Sequence, residues 1–189
     1  MVATAKTELK RKLFNVTEYY KMLETGLLCE NDRVELIHGE IIRMSPIGSK
    51  HGGYVKTIAN LITRKLGKQV TISVQDSVQL SRFSEPESDV AILKNRDDFY
   101  VDSHPTPKDV YFLVEVADTS VGYDFDVKLP LYAAAGIPEI WILDVNAQRI
   151  TQHSQPDGNV YLEVDTFTKG MTLKCTVLDF ELDLGVIFR

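Results

Sequence analysis

Two apolar runs and one lysine decide the fold: SDVAIL at residues 88–93, VYFLVEV at residues 110–116, and Lys128. The first run carries Asp89 at its head, and the second carries Glu115 near its end. Short runs rich in β-branched and aromatic residues predict buried strands. A carboxylate in a buried strand is costly unless it is paired or bound to a cation. These two acids therefore mark a candidate site.

Asp89, Glu115 and Lys128 together fit the chemistry of a magnesium site. Mg²⁺ binds one or two carboxylates and keeps several waters, so Asp89 and Glu115 are predicted ligands, and the backbone carbonyl of Val116 is a third. The ammonium of Lys128 would stabilise developing charge at a phosphate. The alternative is that Asp89 caps a turn, Glu115 meets an ordinary basic partner, and Lys128 is a surface residue paired with Asp124.

The composition is that of an ordinary globular protein. The chain has 189 residues, of which 44% are hydrophobic and 25% charged. We expect one domain at residues 13–189, preceded by a flexible tail at residues 1–12. No apolar run approaches the roughly 20 residues that span a bilayer, so we expect no membrane partner.

Charge and cysteine content narrow the class of function. The net charge of −6 argues against strong nonspecific binding to nucleic acid, but it allows a local basic groove or a metal that bridges acids to phosphate. Cys29 and Cys175 are isolated in sequence, which argues against a thiolate zinc site and predicts free thiols in a reducing cytoplasm.

The order of predicted elements gives the fold class. A helix over residues 18–25 with Thr17 as its cap precedes a hairpin at residues 33–44. A helix from Ser49 to about Leu66 follows, then three strands, a helix over about residues 124–135 and a strand at residues 140–143. A second hairpin and a β segment at residues 171–188 close the chain. This order predicts an α/β fold with one mixed central sheet flanked by helices, an N-terminal hairpin and a C-terminal β extension.

Four segments carry a resemblance to a known family. They are RVELIHGEI at residues 33–41, SDVAIL at 88–93, LVEV at 113–116 and YAAAGIPEIWILD at 132–144. With these segments the chain resembles the Uma-type restriction endonuclease family, a branch of the PD-(D/E)XK nucleases. The resemblance implies a restriction-endonuclease-like core, Mg²⁺-dependent cleavage of double-stranded DNA, for which Mn²⁺ is expected to substitute, and often a homodimer.

The resemblance also suggests a role for individual residues. Asp89 matches the motif aspartate and Glu115 the motif glutamate. Ser88 stands where the superfamily has proline, which affects the turn and no chemistry. Ala117 stands where the superfamily has lysine, and the lysine of this branch would be Lys128 on the following helix.

Two supporting residues follow from the same comparison. Glu35 matches the acid of the family's first hairpin, where it would be a further ligand or a group behind the ligands. His51 lies in the first turn of its helix and could contact phosphate or water, although a surface histidine without a role fits the sequence equally well.

Three classes of function are compatible with these residues. The first is a metal-dependent DNA endonuclease with Asp89, Glu115 and Lys128 as its catalytic residues. The second is a catalytically inactive nuclease-fold module for interaction with DNA or protein, which the absence of lysine at position 117 favours. The third is a structural α/β protein. The apolar stretch from Phe180 to Phe188 is long for a tail and predicts a homodimer interface.

Overall fold

A six-stranded mixed sheet forms the centre of the protein. The computed structural model describes residues 10–118 and 120–188, except the side chain of Glu30. The strands are β3 (Thr71–Ser77), β4 (Glu87–Leu93), β5 (Val110–Ala117), β6 (Glu139–Asp144), β7 (Arg149–Asp157) and β8 (Val160–Thr168). They lie in the order β3-β4-β5-β6-β7-β8. Within this sheet β5 and β6 are parallel, and the other neighbours are antiparallel.

Two small antiparallel hairpins flank the sheet. The N-terminal hairpin consists of β1 (Val34–Ile37) and β2 (Glu40–Arg43), and the C-terminal one of β9 (Thr172–Lys174) and β10 (Glu181–Asp183). Both central residues of the first turn, His38 and Gly39, have positive φ, which suits the twist of a two-residue hairpin. The predicted mixed α/β fold with its hairpin and its C-terminal extension is therefore confirmed.

The helices are α1 (Val16–Glu24), α2 (Ser49–Leu66), α3 (Val121–Tyr123), α4 (Leu129–Ala134) and α5 (Leu184–Ile187). Short 3₁₀ turns occupy Glu30–Asp32, Gly67–Gln69 and Pro107–Asp109. The prediction that Thr17 caps the first helix was wrong. Asn15 is the cap, because its side chain accepts from the Glu18 N–H while the Glu18 carboxylate accepts from the Asn15 N–H.

The helix predicted over about residues 124–135 begins earlier and widens in its middle. Its chain path runs through α3, a π-helical turn at Asp124–Lys128 and then α4. Pro130 has no N–H to donate to the preceding turn, which explains why regular α-helical bonding does not continue through it. π-turns of this kind are frequent at functional sites, and this one carries Lys128.

Each face of the sheet has its own apolar core. On one face α2 packs with the C-terminal extension, including Leu173, Phe180, Leu184 and Phe188. On the other face α4 packs with the N-terminal hairpin and with residues of β4, β5 and β6. Within the described part of the chain, no helix has both the length and the apolar character needed to cross a membrane.

The C-terminal stretch does not have the role from which a dimer was predicted. Phe180, Leu182, Leu184, Ile187 and Phe188 are all buried against the sheet of their own chain. They complete the core beside α2, so they offer no apolar surface to a second copy. The apolar side chains that indicated a homodimer therefore pack within their own chain.

A buried carboxylate attaches this extension to the sheet. Glu139, at the start of β6, accepts hydrogen bonds from Trp141 Nε1 and Gln152 Nε2 at one oxygen, and from the N–H and hydroxyl of Thr176 at the other. The residue is fully buried. Donors from three segments replace the water that this carboxylate loses on folding.

The long loop between β4 and β5 is held by a histidine. His104 Nδ1 pairs with Oε1 of buried Glu85, and the Tyr20 hydroxyl donates to the same oxygen at 3.0 Å. The hydrogen bond to Glu85 raises the pKa of His104, burial opposes this shift, and the charges of Glu85 and Asp76 add to it. The loop is thus attached to α1 and to the segment before β4.

We predict that His104→Gln removes a pH-dependent part of the stability. A histidine whose pKa is higher in the folded than in the unfolded state stabilises the fold fully below its unfolded pKa of about 6.5. That contribution is lost as the pH rises through the folded pKa. Urea unfolding of parent and variant should give the largest difference in free energy of unfolding near pH 5.5, and a smaller one near pH 9. A difference that is constant across this range would contradict the prediction.

Candidate active site

Asp89 and Glu115 both line one cavity, close to the point where β4 and β5 end their pairing. The last backbone pair toward this end joins Val90 and Val114. Just beyond it, the Val116 N–H donates to Oδ2 of Asp89 at 2.8 Å. The side chain of Asp89 thus bridges the two strands, and its other oxygen lies 2.8 Å from Nε2 of His51. The structure therefore brings Asp89, Val116 and His51 together.

His51 reaches Asp89 from the first turn of α2, with its side chain only 17% exposed. The hydrogen bond to Asp89 raises the pKa of His51. Burial opposes the shift, while the charges of Asp89 and Asp124 and a hydrogen bond with the Val116 backbone add to it. His51 is therefore not an exposed surface histidine, and its role in the chemistry stays a prediction.

Glu115 lies deep in the same region. Its residue is 2% exposed, and Oε1 accepts a hydrogen bond from the hydroxyl of Tyr132 on α4. Burial raises the pKa of Glu115 well above its usual range, and the charges of Asp89 and Asp124 add to this effect, against the opposing influence of Lys128 and Tyr132. An acid in this position favours any cation that approaches it.

Lys128 is buried, contrary to the surface ion pair with Asp124 that the sequence allowed. Its residue is 7% exposed, and Nζ donates to the Glu87 carbonyl oxygen at 2.6 Å. The same nitrogen lies 3.4 Å from Oε2 of Glu115 and 3.8 Å from Oε2 of Glu35. The widened helical turn places the ammonium beside the strand ends, although no lysine stands on β5 itself.

Lys128 carries its charge in this setting. Burial lowers the pKa of Lys128, but the neighbouring carboxylates outweigh burial and raise the pKa above its ordinary value; these are Glu115, Glu35, Asp124 and Asp89. The ammonium is therefore a fixed positive charge at the site. It partly neutralises the acids that surround it.

Glu35 stands behind the lysine in the N-terminal hairpin. Its Oε1 accepts from the hydroxyl of Tyr123 at 2.7 Å, and its Oε2 accepts from the Glu87 N–H at 3.1 Å. Both oxygens are thus engaged within the protein, and Lys128 lies near the second. Both roles of Glu35, a further ligand or a group behind the ligands, stay predictions.

A cavity of about 540 Å³ joins these groups. Its walls include all the predicted side chains, namely Glu35, His51, Asp89, Glu115 and Lys128. Carboxylates outnumber lysine and arginine side chains in the lining by six to three. In the described ranges 10–118 and 120–188, no three His, Cys, Asp or Glu side chains are grouped closely enough to hold a metal by themselves. A magnesium ion with two protein carboxylates and bound waters needs no third one.

Sequence reasoning missed several groups of the site. Tyr132 lies four residues after Lys128, and helical spacing could have placed both on the face toward Glu115. Tyr123, which binds Glu35 from a different part of the chain, and the backbone carbonyl of Glu87 give no sequence signal. Each of the three completes a hydrogen bond to a predicted residue.

The family model "Uma2: Putative restriction endonuclease" matches residues 16–185. The chain belongs to this family. The predicted family relationship is thereby confirmed, and the match runs from the start of α1 into α5.

A solved structure shares the fold of this Uma2 member. It is described as a "putative nuclease belonging to DUF820 from Anabaena variabilis ATCC 29413", and it matches with a TM-score of 0.72 over 93% of this chain and 97% of that chain. The two sequences are 13% identical, so this likeness shows the fold alone. No curated protein matches the chain.

We predict that Glu35 stabilises the fold through its contacts at the site. Glu35→Gln removes the charge beside Lys128, and it should lower the free energy of unfolding by about 1–3 kcal/mol, as expected for a buried hydrogen-bonded group. Glu40→Gln is the control, because Glu40 lies on the same hairpin and pairs with Arg11 at the surface. This control should cost less than about 1 kcal/mol. Equal losses in urea unfolding would contradict the prediction.

Proposed function

We propose that this chain is a metal-dependent endonuclease that hydrolyses phosphodiester bonds in double-stranded DNA. The observation that carries the proposal is the buried ammonium of Lys128 beside Glu115, within the cavity that also holds Asp89. A buried lysine–carboxylate pair contributes little to stability compared with apolar residues of similar volume. A catalytic role therefore explains the buried Lys128–Glu115 pair better than a stabilising role does.

Mg²⁺ is the proposed cofactor, with Mn²⁺ as a substitute, and the residues present fit it. Asp89 and Glu115 offer hard oxygen donors, and the cavity lining has more negative than positive side chains. The backbone carbonyl of Val116, the residue after Glu115, remains the predicted third ligand. When bound, the metal would neutralise the phosphate and lower the pKa of a bound water. Metal binding would also hold Glu115 in its ionised form, against the effect of burial.

The other residues of the site would orient the Asp89 carboxylate or stabilise negative charge on the phosphate. His51 and the Val116 N–H fix both oxygens of Asp89, which is how outer groups orient a ligand carboxylate. Lys128, held by the Glu87 carbonyl, would stabilise negative charge that develops on the phosphate. Glu35, which accepts a hydrogen bond from Tyr123, would keep the Lys128 ammonium in place from the side of the N-terminal hairpin.

The inactive nuclease-fold module is the second candidate. The observation that favours it is Ala117, which leaves the motif position for lysine on β5 without an ammonium. Lys128 supplies a buried ammonium from another element, and this weighs against the second candidate. A cleavage assay separates the two.

We predict different effects for the acids and the lysine. Asp89→Ala and Glu115→Gln should lose both Mn²⁺ binding, measured by calorimetry, and nicking of plasmid DNA. Lys128→Met should keep Mn²⁺ binding and lower cleavage by about 100-fold or more, since it removes a charge-stabilising group and retains an apolar side chain. Lys56→Met, on the exposed surface of α2, is the control and should cleave like the parent.

DNA binding and cleavage by the parent and the variants distinguish the endonuclease from the inactive module. A parent protein that binds DNA without cutting it in Mg²⁺ or Mn²⁺ would support the inactive module. Parent-level cleavage by Lys128→Met would remove the lysine from the mechanism.

A homodimer is part of the proposal, because two sites related by a two-fold axis can cut both strands of a duplex. The five buried apolar side chains of the C-terminal stretch cannot form its interface, since they pack within their own chain. We predict a dimer by light scattering at micromolar concentration. A monomer at all concentrations, with nicks in single strands as the product, would contradict this. A cytoplasmic location remains a prediction from the free cysteines Cys29 and Cys175.

A further inference from the structure

Two hydrogen-bond donors on residues that line the site cavity find no acceptor among the residues that the structure describes. They are Nε of Arg33 and Nε2 of Gln75, and both nitrogens are buried. Buried polar groups in folded proteins are nearly always hydrogen-bonded, so an unpartnered donor needs an explanation. Two of them at one cavity indicate a place prepared for an acceptor that the protein does not itself provide.

Both residues also have an unusual backbone conformation. The φ angle is +45° at Arg33 and +53° at Gln75, values that long L side chains rarely adopt. Arg33 directly precedes β1, and its carbonyl accepts from the Met44 N–H at 2.8 Å. Gln75 interrupts the pairing of β3 with β4 at the position that faces Asp89. Backbone strain of this kind clusters at ligand sites, where the surrounding structure holds it.

The guanidinium of Arg33 is only partly committed within the protein. One of its terminal nitrogens lies 3.4 Å from Oε1 of Glu87, and the side chain is 36% exposed. Glu87 thus contacts the planar group through one terminal nitrogen, while Nε has no partner among the described residues. Arginine offers five donors in a fixed fork and binds phosphate oxygens in pairs.

The chemistry of the cavity restricts what such donors would bind. Asp89, Glu115 and Lys128 face a phosphate under the proposed function, and a nucleic acid strand carries the next phosphate a few ångströms away. The acids of the lining repel that second phosphate, so a cationic and a neutral donor are needed to hold it. Carboxylates are acceptors themselves and cannot fill this role.

Resting on the proposed function, we infer that Arg33 and Gln75 form a seat for a phosphate next to the scissile one. The side chains of Arg33 and Gln75 rotate from the cavity wall toward the bound strand. Their guanidinium and amide groups then donate to the non-bridging oxygens of that phosphate. Both act as positioning residues that bind the strand, while Asp89, Glu115 and Lys128 act on the scissile group. These donors contact phosphate oxygens and no base. They therefore contribute affinity and fix the position of the strand, without sequence preference.

The experiment measures binding of a short DNA duplex in Ca²⁺ as a function of salt, in a Lys128→Met background whose cleavage is expected to be slower by about 100-fold or more. Adding Arg33→Ala should weaken binding about tenfold and lower the slope of log K against log salt by about 0.9, because one phosphate contact by a cation is lost. Adding Gln75→Ala should weaken binding several-fold with an unchanged slope, since a neutral amide releases no counterion.

The control is Arg64→Ala. Arg64 is exposed on α2, and the 13 residues that separate it from His51 place it about 20 Å along the helix. It should leave affinity and slope unchanged. Thermal melting and Mn²⁺ affinity of each variant should match the background, because a merely structural role of Arg33 or Gln75 would change these instead. Should Arg33→Ala fail to fold, Arg33→Lys keeps the charge, and it should retain the slope while affinity falls.

The possible failures are distinguishable. A parent that cuts DNA, with Arg33→Ala and Gln75→Ala both binding like Arg64→Ala, overturns the phosphate seat and leaves the proposed function intact. A parent that neither binds nor cuts DNA overturns the proposed function and the seat with it. Loss of affinity with the predicted split in salt dependence supports the seat, whether or not the parent is active.

Discussion

The ammonium of Lys128 holds three separate parts of the chain at one point. It contacts the carbonyl of Glu87 at the start of β4, the carboxylate of Glu115 on β5 and the carboxylate of Glu35 in the N-terminal hairpin. A charge removed from water is tolerated only when such partners surround it. The N-terminal hairpin, β4 and β5 thus all contact the helical turn that carries Lys128 through this one charged group.

The sequence was a good guide to the elements that are set by local pattern. The stripe from Val55 to Leu66 placed α2, and the apolar runs around Asp89 and Glu115 placed β4 and β5, because their periodicity reflects which face is buried. The same runs identified the acids of the site. These elements could be predicted because a buried strand or helix face requires apolar residues at regular spacing in the sequence.

The parts that could not be predicted depend on contacts between distant segments. Nothing near Phe180 in sequence shows that the tail closes the core beside α2, so an apolar stretch was interpreted as a surface for a second copy. Likewise, the burial of Lys128 follows from a π-turn and from a hairpin some ninety residues earlier in the chain. Strained φ angles at Arg33 and Gln75 have no signature in residue type, because neither is glycine.

The carboxylate of Glu139 sets a condition on the order in which the protein can be completed. The residue begins β6, yet three of its five hydrogen-bond donors come from Cys175 and Thr176, in the segment after β8. During synthesis the strands through β8 leave the ribosome before those donors exist, and the apolar side chains beside α2 still lack their cover. Removal of residues 172–188 would therefore leave the Glu139 carboxylate without part of its donors and the core beside α2 without part of its cover.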